Sequence, residues 1–264
     1  MKLAVIMAVH NNQDTLNQAV TSILKQTFKK FEFIIINDAS TDHSLEVLKT
    51  FKDKRIKIIN NQKQLGLTKS LNKGLKQTKA QYIARMDADD ISLPTRFSKQ
   101  LAFFQKHPDT VLLGTAAFLI NSQGKQVGLK RHPKDHAHIK TKALHTCPFI
   151  HPTWMLKRFI LNQIGDYDQK FPFAQDYDLA LRIISKYKTA NLDQPLIKYR
   201  VNFASAISFK NLKKQELLAL KARLLALTKY GYPITDLWKL VKPLLSFLIP
   251  AKLKTKIYQK FYWQ

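Results

Sequence analysis

The sequence predicts an α/β fold in which a mostly parallel central sheet is flanked by helices and followed by a basic α-helical tail. Over residues 1–90, four apolar runs alternate with segments of helical period, which is typical of parallel strands joined by right-handed crossovers. From residue 210 onward, leucines at helical spacing are interleaved with lysines. We therefore predict one globular domain over residues 1–209 and an amphipathic helical tail over residues 210–264.

Each element is predicted from its own pattern of apolar residues. Leu3–Val9 is a continuous apolar run, as expected of a strand covered on both faces, whereas Leu16, Val20 and Ile23 recur at helical spacing. The same reasoning predicts strands at 3–9, 31–36, 56–59, 82–86, 111–120 and 126–131, and helices at 15–25, 45–51, 65–75, 93–107 and 173–187. Ser40, Thr41 and Asp42 are suitable N-caps for the second helix.

Composition limits the classes of binding partner and the cellular compartment that we expect for this protein. The chain has 264 residues and a formal net charge of +26, which favours anionic partners such as nucleic acid, an acidic membrane surface or phosphorylated substrates. Cys147 is the only cysteine, which excludes an internal disulfide and fits a reducing compartment. No apolar run reaches the roughly 18 to 20 residues of a spanning helix, and none resembles a signal peptide core. We therefore expect a protein that is neither secreted nor membrane-spanning.

Polar clusters follow three of the predicted parallel strands. Asn11-Asn12, Asn37-Asp38 and Asp87-Ala88-Asp89-Asp90 all fall at the carboxyl edge of the sheet, where such folds bind ligands. Three carboxylates within four positions repel one another unless a cation is present, and hard oxygen ligands suit Mg²⁺ or Mn²⁺. Because no glycine precedes Gly66, neither a Rossmann fingerprint nor a P-loop can follow the first strand. The pattern predicts a metal-diphosphate site.

Two segments of the second half have open interpretations. Asp176, near the start of a predicted helix, fits either a plain N-terminal cap or a general base. The basic tail fits an interfacial membrane segment with aromatic residues at its end, a leucine face packed on the domain, or a nucleic-acid surface. The aromatic residues in question are Tyr258, Phe261, Tyr262 and Trp263.

Short motifs then occur in the order expected of one enzyme family. They are Val9-His10-Asn11-Asn12, Asn37-Asp38-Ala39-Ser40-Thr41-Asp42, Gly66-Leu67 with Asn72-Lys73-Gly74, Asp87-Ala88-Asp89-Asp90, His151-Pro152-Thr153, Gly165-Asp166-Tyr167-Asp168, Gln175-Asp176-Tyr177-Asp178-Leu179, and Tyr199-Arg200 with Ser208. Together they resemble the family 2 glycosyltransferases, inverting enzymes of the A-type fold that use nucleotide-diphosphate sugars. The resemblance covers roughly residues 1–205 and is nearest to bacterial members that build surface polysaccharides.

The resemblance implies a role for each motif. Asp176 is expected to be the catalytic base. The residues expected on the nucleotide-sugar side are Val9, His10, Asn12, Asp38, Lys69, Asp87 and Ala88, with Asp38 at the base edge and Asp87 at the ribose. The expected ligands of Mn²⁺ or Mg²⁺ are Asp89, Asp90 and His151, and the expected acceptor-side residues are Gln175, Asp178 and Arg182.

The chain also departs from the family pattern. His10 replaces the usual Tyr, Ala39 replaces Gly, and Gln175 replaces the commoner Glu. A Gln-x-x-Arg-Trp motif does not follow the domain, which argues against a processive synthase.

The expected function is transfer of a sugar from a nucleotide-diphosphate sugar, a UDP-sugar first, to a glycan acceptor that is lipid-linked, in surface polysaccharide or lipopolysaccharide synthesis. The tail would hold the enzyme peripherally on the anionic cytoplasmic face of the inner membrane, with no nucleic-acid partner. The alternatives are a nucleic-acid-binding α/β protein, favoured by the charge, and a sugar nucleotidyltransferase, which would need the missing glycine-rich loop.

Overall fold

The computed structural model describes residues 2–201, 211–250 and 254. Its strands are β1 Leu3–Val9, β2 Phe31–Asn37, β3 Ile56–Asn60, β4 Tyr82–Asp87, β5 Ile91–Ser92, β6 Thr110–Ile120, β7 Gln126–Lys130, β8 Met155–Lys157 and β9 Lys188–Arg200. Its α-helices are α1 Gln13–Leu24, α2 Ser44–Thr50, α3 Leu67–Leu75, α4 Arg96–Lys106, α5 His136–Ala143, α6 Phe159–Ile164, α7 Gln175–Lys186, α8 Leu212–Thr228 and α9 Val241–Leu248. Two 3₁₀ segments lie at His151–Thr153 and Ile234–Leu240.

The strands form one sheet in the order β3-β2-β1-β4-β8-β6-β9-β5, with β7 also paired to β6. The first four strands in sequence, β1 to β4, pair in parallel, as predicted. Beyond them β8 runs antiparallel to both β4 and β6, β7 returns as a hairpin on β6, and β9 is parallel to β6. The predicted α/β architecture with flanking helices is confirmed, and the sheet as a whole is mixed.

The continuous apolar runs are explained by a core on both faces of the sheet. Successive side chains of a strand point to opposite faces, so Ile34 and Ile35 on β2 belong to different apolar clusters. The Ile34 face packs against α3 and α7, and the Ile35 face packs against α1 and α4. Such double coverage requires apolar residues at every strand position.

Several helix starts differ from the prediction by a few residues. The helix predicted from residue 93 begins at Arg96, because Ile91–Ser92 instead pair with β9. The second helix begins at Ser44 with His43 at the N-cap position, so the predicted caps Ser40, Thr41 and Asp42 are wrong. Asp42 Oδ1 instead accepts from the Ser44 backbone N–H at 2.9 Å from one position before the cap. Thr41 Oγ1 accepts a hydrogen bond from Asn11 Nδ2 at 3.2 Å.

The tail divides into two parts with different surroundings. In α8, Ala222 and Ala226 are buried against the domain, and Arg223 Nε donates to the Leu144 carbonyl at 2.8 Å. The predicted alternative of a face packed on the domain therefore holds for α8. Trp238 and Leu248, by contrast, are 64% and 75% exposed.

Parts of the predicted tail lie outside the described residues. In the tail these are residues 210, 251–253 and 255–264, and the last range includes Tyr258, Phe261, Tyr262 and Trp263. Residues 202–209 before the predicted boundary, which include Ser208, also lie outside the described residues. Within the described part of the chain, no helix is long and apolar enough to span a bilayer.

Candidate active site

Parallel pairing places the three predicted polar clusters on one edge of the sheet. The Asp38 backbone N–H donates to the Val9 carbonyl at 2.8 Å, and Ala8 lies level with Asp87 across the β1–β4 pair. Asp38 and Asp87 thus flank β1 from its two sides. At about 4.8 Å between neighbouring strands, their backbones are about 10 Å apart.

Asp87, Asp89 and Asp90 form a carboxylate cluster at this edge. One ligand oxygen from each lies within 4.8 Å of the others. Burial, with a contribution from Asp87, raises the pKa of Asp89 to about 6, and burial with the charges of Asp89 and Asp87 raises the pKa of Asp90 well above its usual value. Asp90 Oδ2 is buried and has no hydrogen-bond partner among the described residues. Three carboxylates held close together, with Asp90 Oδ2 buried and unpaired among the described residues, fit a site for a divalent cation.

Arg200 shapes the turn that carries this cluster, a role that the sequence analysis missed. Its backbone N–H donates to Asp90 Oδ1 and its Nε donates to the Asp89 carbonyl, both at 2.8 Å. Its Nη1 donates to the carbonyls of Asn121 and Ser122 at 2.9 and 2.8 Å. The sequence signal was the Tyr199-Arg200 motif, which did not specify this role.

A second missed residue, Arg85, lies beneath the cluster. Its side chain is 4% exposed, and its Nη2 lies 2.5 Å from Asp87 Oδ1. Burial acts to lower the pKa of Arg85, but the charges of Asp87 and Tyr167 and the hydrogen bond to Asp87 outweigh it, so Arg85 stays charged. The guanidinium thus offsets part of the negative charge that the carboxylates concentrate here.

Asp176 lies in the first turn of α7, and the charges of Arg85 and Asp87 at the carboxylate edge act on it. The N-cap position is Ala174 and has no side-chain cap bond, so Asp176 is not the plain cap that was one interpretation. Burial raises its pKa, Asp87 adds to that effect, and the backbone N–H of Tyr177 and the charge of Arg85 oppose it. The pKa of the Tyr199 hydroxyl is raised first by burial and then by Asp90, Asp87, Asp89 and Asp176 together. All four carboxylates therefore act on the electrostatic environment of one tyrosine.

On the predicted donor side, Asp38 is 3% exposed and organises the loop before α3. Its Oδ1 accepts from Asn61 Nδ2 at 2.7 Å and from the Leu65 N–H at 2.9 Å, and its Oδ2 accepts from the Gly66 N–H at 2.8 Å. Burial acts to raise the pKa of Asp38, but these hydrogen bonds outweigh it and leave the pKa below its usual value. Its contact with a nucleotide base stays a prediction.

The other donor-side residues line the same rim. His10 Nδ1 donates to the Asp38 carbonyl at 2.9 Å, and Asn12 Oδ1 accepts from the His10 N–H at 3.2 Å. The side chains of Val9 and Ala88 are buried, so these residues could contact a ligand only through backbone groups. The Ala88 carbonyl accepts a hydrogen bond from Thr15 Oγ1 at 3.1 Å. Lys69 is exposed on α3. Their roles in binding stay predictions.

His151, which is predicted as a metal ligand, lies in a buried aromatic cluster, and its metal role stays a prediction. Its Nε2 lies 2.8 Å from the Tyr167 hydroxyl, and its ring packs edge-on to Trp154 and Tyr167. Burial, with the charge of Arg85, depresses its pKa, so the ring is neutral. The carboxylate cluster in the described residues does not include it.

The three residues predicted on the acceptor side differ in whether their polar atoms already have partners in the protein. Asp178 is fully buried, and its two oxygens are taken by Arg182 Nε at 2.9 Å and the Tyr230 hydroxyl at 2.7 Å. Arg182 also donates to the Ile164 carbonyl at 2.7 Å. Both residues therefore join α7 to its neighbours, and their acceptor-side roles stay predictions. Gln175 Oε1 is buried without a partner in the described residues, so it is available to a ligand.

Comparison with known proteins now identifies the chain. The model of glycosyl transferase family 2 matches residues 4–165, more than half of the sequence. The chain belongs to glycosyl transferase family 2. This match selects the glycosyltransferase prediction over the nucleic-acid-binding and nucleotidyltransferase alternatives.

Relatives and solved structures agree with this family. Amylovoran biosynthesis glycosyltransferase AmsE of Erwinia amylovora is 31% identical over 264 residues, covering 97% of this chain and 98% of AmsE. TarS 1–349 of S. aureus in complex with UDP-GlcNAc has a TM-score of 0.66 at 17% identity, covering 94% of this chain and 80% of that one. Mannosyltransferase PcManGT of Pyrobaculum calidifontis with GDP-Man and Mn²⁺ has a TM-score of 0.66 at 16% identity, covering 98% and 80%. The structural likenesses support the shared fold.

Proposed function

We propose that this family 2 glycosyltransferase transfers a sugar with inversion from a nucleotide-diphosphate sugar to a lipid-linked glycan, in surface polysaccharide or lipopolysaccharide synthesis. The observation that supports the proposal is a shared electrostatic environment: Asp87, Asp89 and Asp90 form one carboxylate cluster, and these three carboxylates and Asp176 all raise the pKa of Tyr199. A diphosphate site and a base on opposite sides of one hollow are what a single displacement requires.

The carboxylate cluster would serve the leaving group. A divalent cation, Mn²⁺ or Mg²⁺, held by Asp89 and Asp90 with Asp87 beside them, would neutralise charge on the leaving diphosphate. Arg200 fixes the turn, since it bonds both the Asp89 carbonyl and, through its own N–H, the Asp90 carboxylate. Arg85 holds Asp87 in place through its 2.5 Å contact.

Asp176 would serve the acceptor. Its carboxylate takes the proton of an acceptor hydroxyl, the freed oxygen forms the bond to the anomeric carbon, and the bond from that carbon to the diphosphate breaks on the opposite face. A raised carboxyl pKa improves a base for this purpose, provided that the group is still ionised at working pH.

The donor and acceptor classes follow from the relatives by analogy. TarS is seen with UDP-GlcNAc and PcManGT with GDP-Man, which supports a nucleotide sugar here, with a UDP-sugar as the first candidate. AmsE acts in amylovoran biosynthesis, which supports a polysaccharide pathway. Asp38, His10 and the Val9 backbone would contact the base.

The described tail supports peripheral attachment to the cytoplasmic face of the inner membrane. Leu237, Trp238, Leu245 and Leu248 are all at least half exposed, and they follow one another along Ile234–Leu240 and α9. Over residues 211–250 seven basic residues outnumber two acidic ones; the basic ones are Lys213, Lys214, Lys221, Arg223, Lys229, Lys239 and Lys242, and the acidic ones are Glu216 and Asp236. Exposed apolar and aromatic side chains with basic neighbours suit an anionic bilayer.

A donor screen followed by transfer assays tests the catalytic proposal. UDP-, GDP- and dTDP-sugars are screened by thermal shift with and without Mn²⁺, and we expect one donor to stabilise the protein only with metal. Asp89→Ala should abolish that shift, whereas Asp176→Asn should keep it and lose about 10²- to 10⁴-fold in transfer rate. Near-normal transfer by Asp176→Asn would reject Asp176 as the base.

Vesicle flotation tests the membrane proposal. The wild-type protein should float with phosphatidylglycerol vesicles and less with phosphatidylcholine vesicles, and Trp238→Ser should weaken flotation. Phe159→Ser is the matched control, because Phe159 is also exposed, at 48%, but lies on α6. Equal flotation of the two variants would contradict the assignment of the tail.

A further inference from the structure

Lys130, at the end of β7, is a cation that the proposed mechanism does not use. Its side chain is partly buried, and no carboxylate of the described residues lies within ion-pair distance of its ammonium. The Nζ atom lies 5.9 Å from the centroid of the Tyr199 ring. Because Tyr199 directly precedes Arg200, the ring connects Lys130 to the turn of Asp89 and Asp90.

His132, two residues further on, is also unsatisfied. Its Nδ1 and Nε2 are both buried and lack a hydrogen-bond partner among the described residues. Burial, together with the charges of Lys130 and Lys142, depresses its pKa to about 3, so the ring is neutral and offers one donor and one acceptor. Buried polar atoms without partners are costly to a fold, and a ligand that bonds them removes that cost.

The charges that act on Lys130 identify the side on which a ligand would bind. Burial lowers the pKa of Lys130, while the neighbouring Cys147 and Asp176 oppose that effect. The charge of Asp176 thus acts on Lys130, and the Tyr199 ring on which Asp176 also acts lies 5.9 Å from Lys130 Nζ. An ammonium in this position is available to the molecule whose hydroxyl Asp176 would deprotonate.

We propose that Lys130, assisted by His132, binds an anionic group of the acceptor close to the hydroxyl that attacks. This proposal rests on the proposed function, because the acceptor side is defined by Asp176 as the base. The shared chemistry is a phosphate or carboxylate oxygen within the span of one sugar. Two sources fit: the phosphate that links a first sugar to its lipid, or the carboxylate of an acidic sugar.

Ligand-observed saturation-transfer NMR on the full chain tests this site with soluble probes. The probes are glucose 1-phosphate, glucuronic acid and neutral methyl glucoside, each titrated with EDTA present so that no cation binds the carboxylate cluster. Lys130→Met removes the charge, and Lys130→Arg keeps it. Lys125→Met is the matched control, because Lys125 is an exposed lysine in the turn of the same hairpin. Melting temperatures confirm that each variant is folded.

We expect wild type, Lys125→Met and Lys130→Arg to bind at least one anionic sugar, and Lys130→Met to bind it at least about tenfold more weakly, as befits a lost charge-assisted hydrogen bond. Tighter binding of glucose 1-phosphate indicates a lipid-phosphate acceptor, and tighter binding of glucuronic acid indicates an acidic sugar. Equal binding by wild type and Lys130→Met, or no anionic binding by wild type, overturns the proposal.

A separate readout keeps the two proposals apart. The metal-dependent thermal shift produced by the donor should be the same in Lys130→Met as in wild type. If that shift is absent from wild type, the donor assignment fails whatever the sugar titrations show. If the shift is present and Lys130→Met matches wild type in the titrations, only the Lys130 proposal fails.

Discussion

Replacing Arg200 by Met is the sharpest test of how the carboxylate turn is held. The substitution keeps much of the apolar stem and the backbone N–H that donates to Asp90. It removes the guanidinium bonds to the carbonyls of Asp89, Asn121 and Ser122, at 2.8, 2.9 and 2.8 Å. Arg200 is 8% exposed, so water replaces these bonds poorly.

The expected cost follows from those three bonds. A hydrogen bond from a charged donor contributes about 1.5 to 3 kcal/mol, and neighbouring bonds do not add fully. We therefore expect Arg200→Met to lower the free energy of unfolding by about 3 to 5 kcal/mol. Because the turn also carries Asp89, the Mn²⁺ concentration that gives half the thermal shift should rise about tenfold or more.

Urea unfolding and Mn²⁺ titration by thermal shift measure the two effects. Arg131→Met is the control, because Arg131 pairs with Asp193 at 3.0 Å on the surface, where both side chains are about half exposed. Exposed pairs contribute about 0 to 1 kcal/mol, so this control should stay close to wild type. A loss below about 1 kcal/mol in Arg200→Met, with an unchanged Mn²⁺ midpoint, would refute the reasoning.

Three further predictions concern pH and backbone strain. Because the pKa of Asp89 is raised to about 6, its contribution to stability is present below the ordinary carboxyl pKa and is lost as pH rises through about 6. The Mn²⁺-induced rise in melting temperature should therefore be larger at about pH 7.5 than at about pH 5, and equal shifts would contradict this. The pKa of Asp176 is raised above the ordinary value of 3.8, and the base must be ionised to act. In a pH–rate profile, the transfer rate should therefore fall on the acidic side with a midpoint above 3.8. A midpoint at or below 3.8 would contradict this prediction. Ala39 has a φ of 52°, a conformation that costs a non-glycine residue about 1 to 2 kcal/mol. After the larger loss of backbone entropy at glycine is subtracted, Ala39→Gly should raise the free energy of unfolding, measured in urea, by about 0.5 to 1 kcal/mol. A destabilised variant would show that the loop is not strained at this position.

The parts of the fold that could be predicted from sequence are those with local causes. The strands β1 to β4 are short apolar runs whose pattern lies within each run, and parallel connection alone puts Asp38 and Asp87 on one edge. Pairings between distant segments leave no such local trace. Ile91 pairs with Lys198, and β8 enters the sheet between β4 and β6, so neither could be read from a window of neighbouring residues.

The candidate site divides in the same way. Asp87, Asp89, Asp90 and Asp176 were found from their residue types and motifs. Arg200 was not given its role, because the bond to Asp90 spans 110 residues of chain. A motif also does not say what a side chain contacts, so the contact of His151 Nε2 with the Tyr167 hydroxyl could not be predicted, and the metal role of His151 stays a prediction.

Contacts made by the segment after α7 also depend on tertiary packing that the sequence does not specify. Asp178 was predicted on the acceptor side, and its second partner is Tyr230 in the tail, at 2.7 Å. That contact depends on how the segment after α8 packs on α7, which helical spacing alone does not specify. Similarly, the buried alanines of α8 and the exposed side chains of Ile234–Leu240 lie in one leucine-rich sequence, and only packing separates them.

The most direct measurement is anomalous diffraction from a crystal of the full chain grown with Mn²⁺ and the nucleoside diphosphate of the donor found by thermal shift. We predict a manganese peak at about 2 to 2.5 Å from a carboxylate oxygen of Asp89, with the diphosphate between that peak and Asp176. A manganese ion bound away from Asp89, or a diphosphate on the far side of the sheet edge from Asp176, would contradict the account.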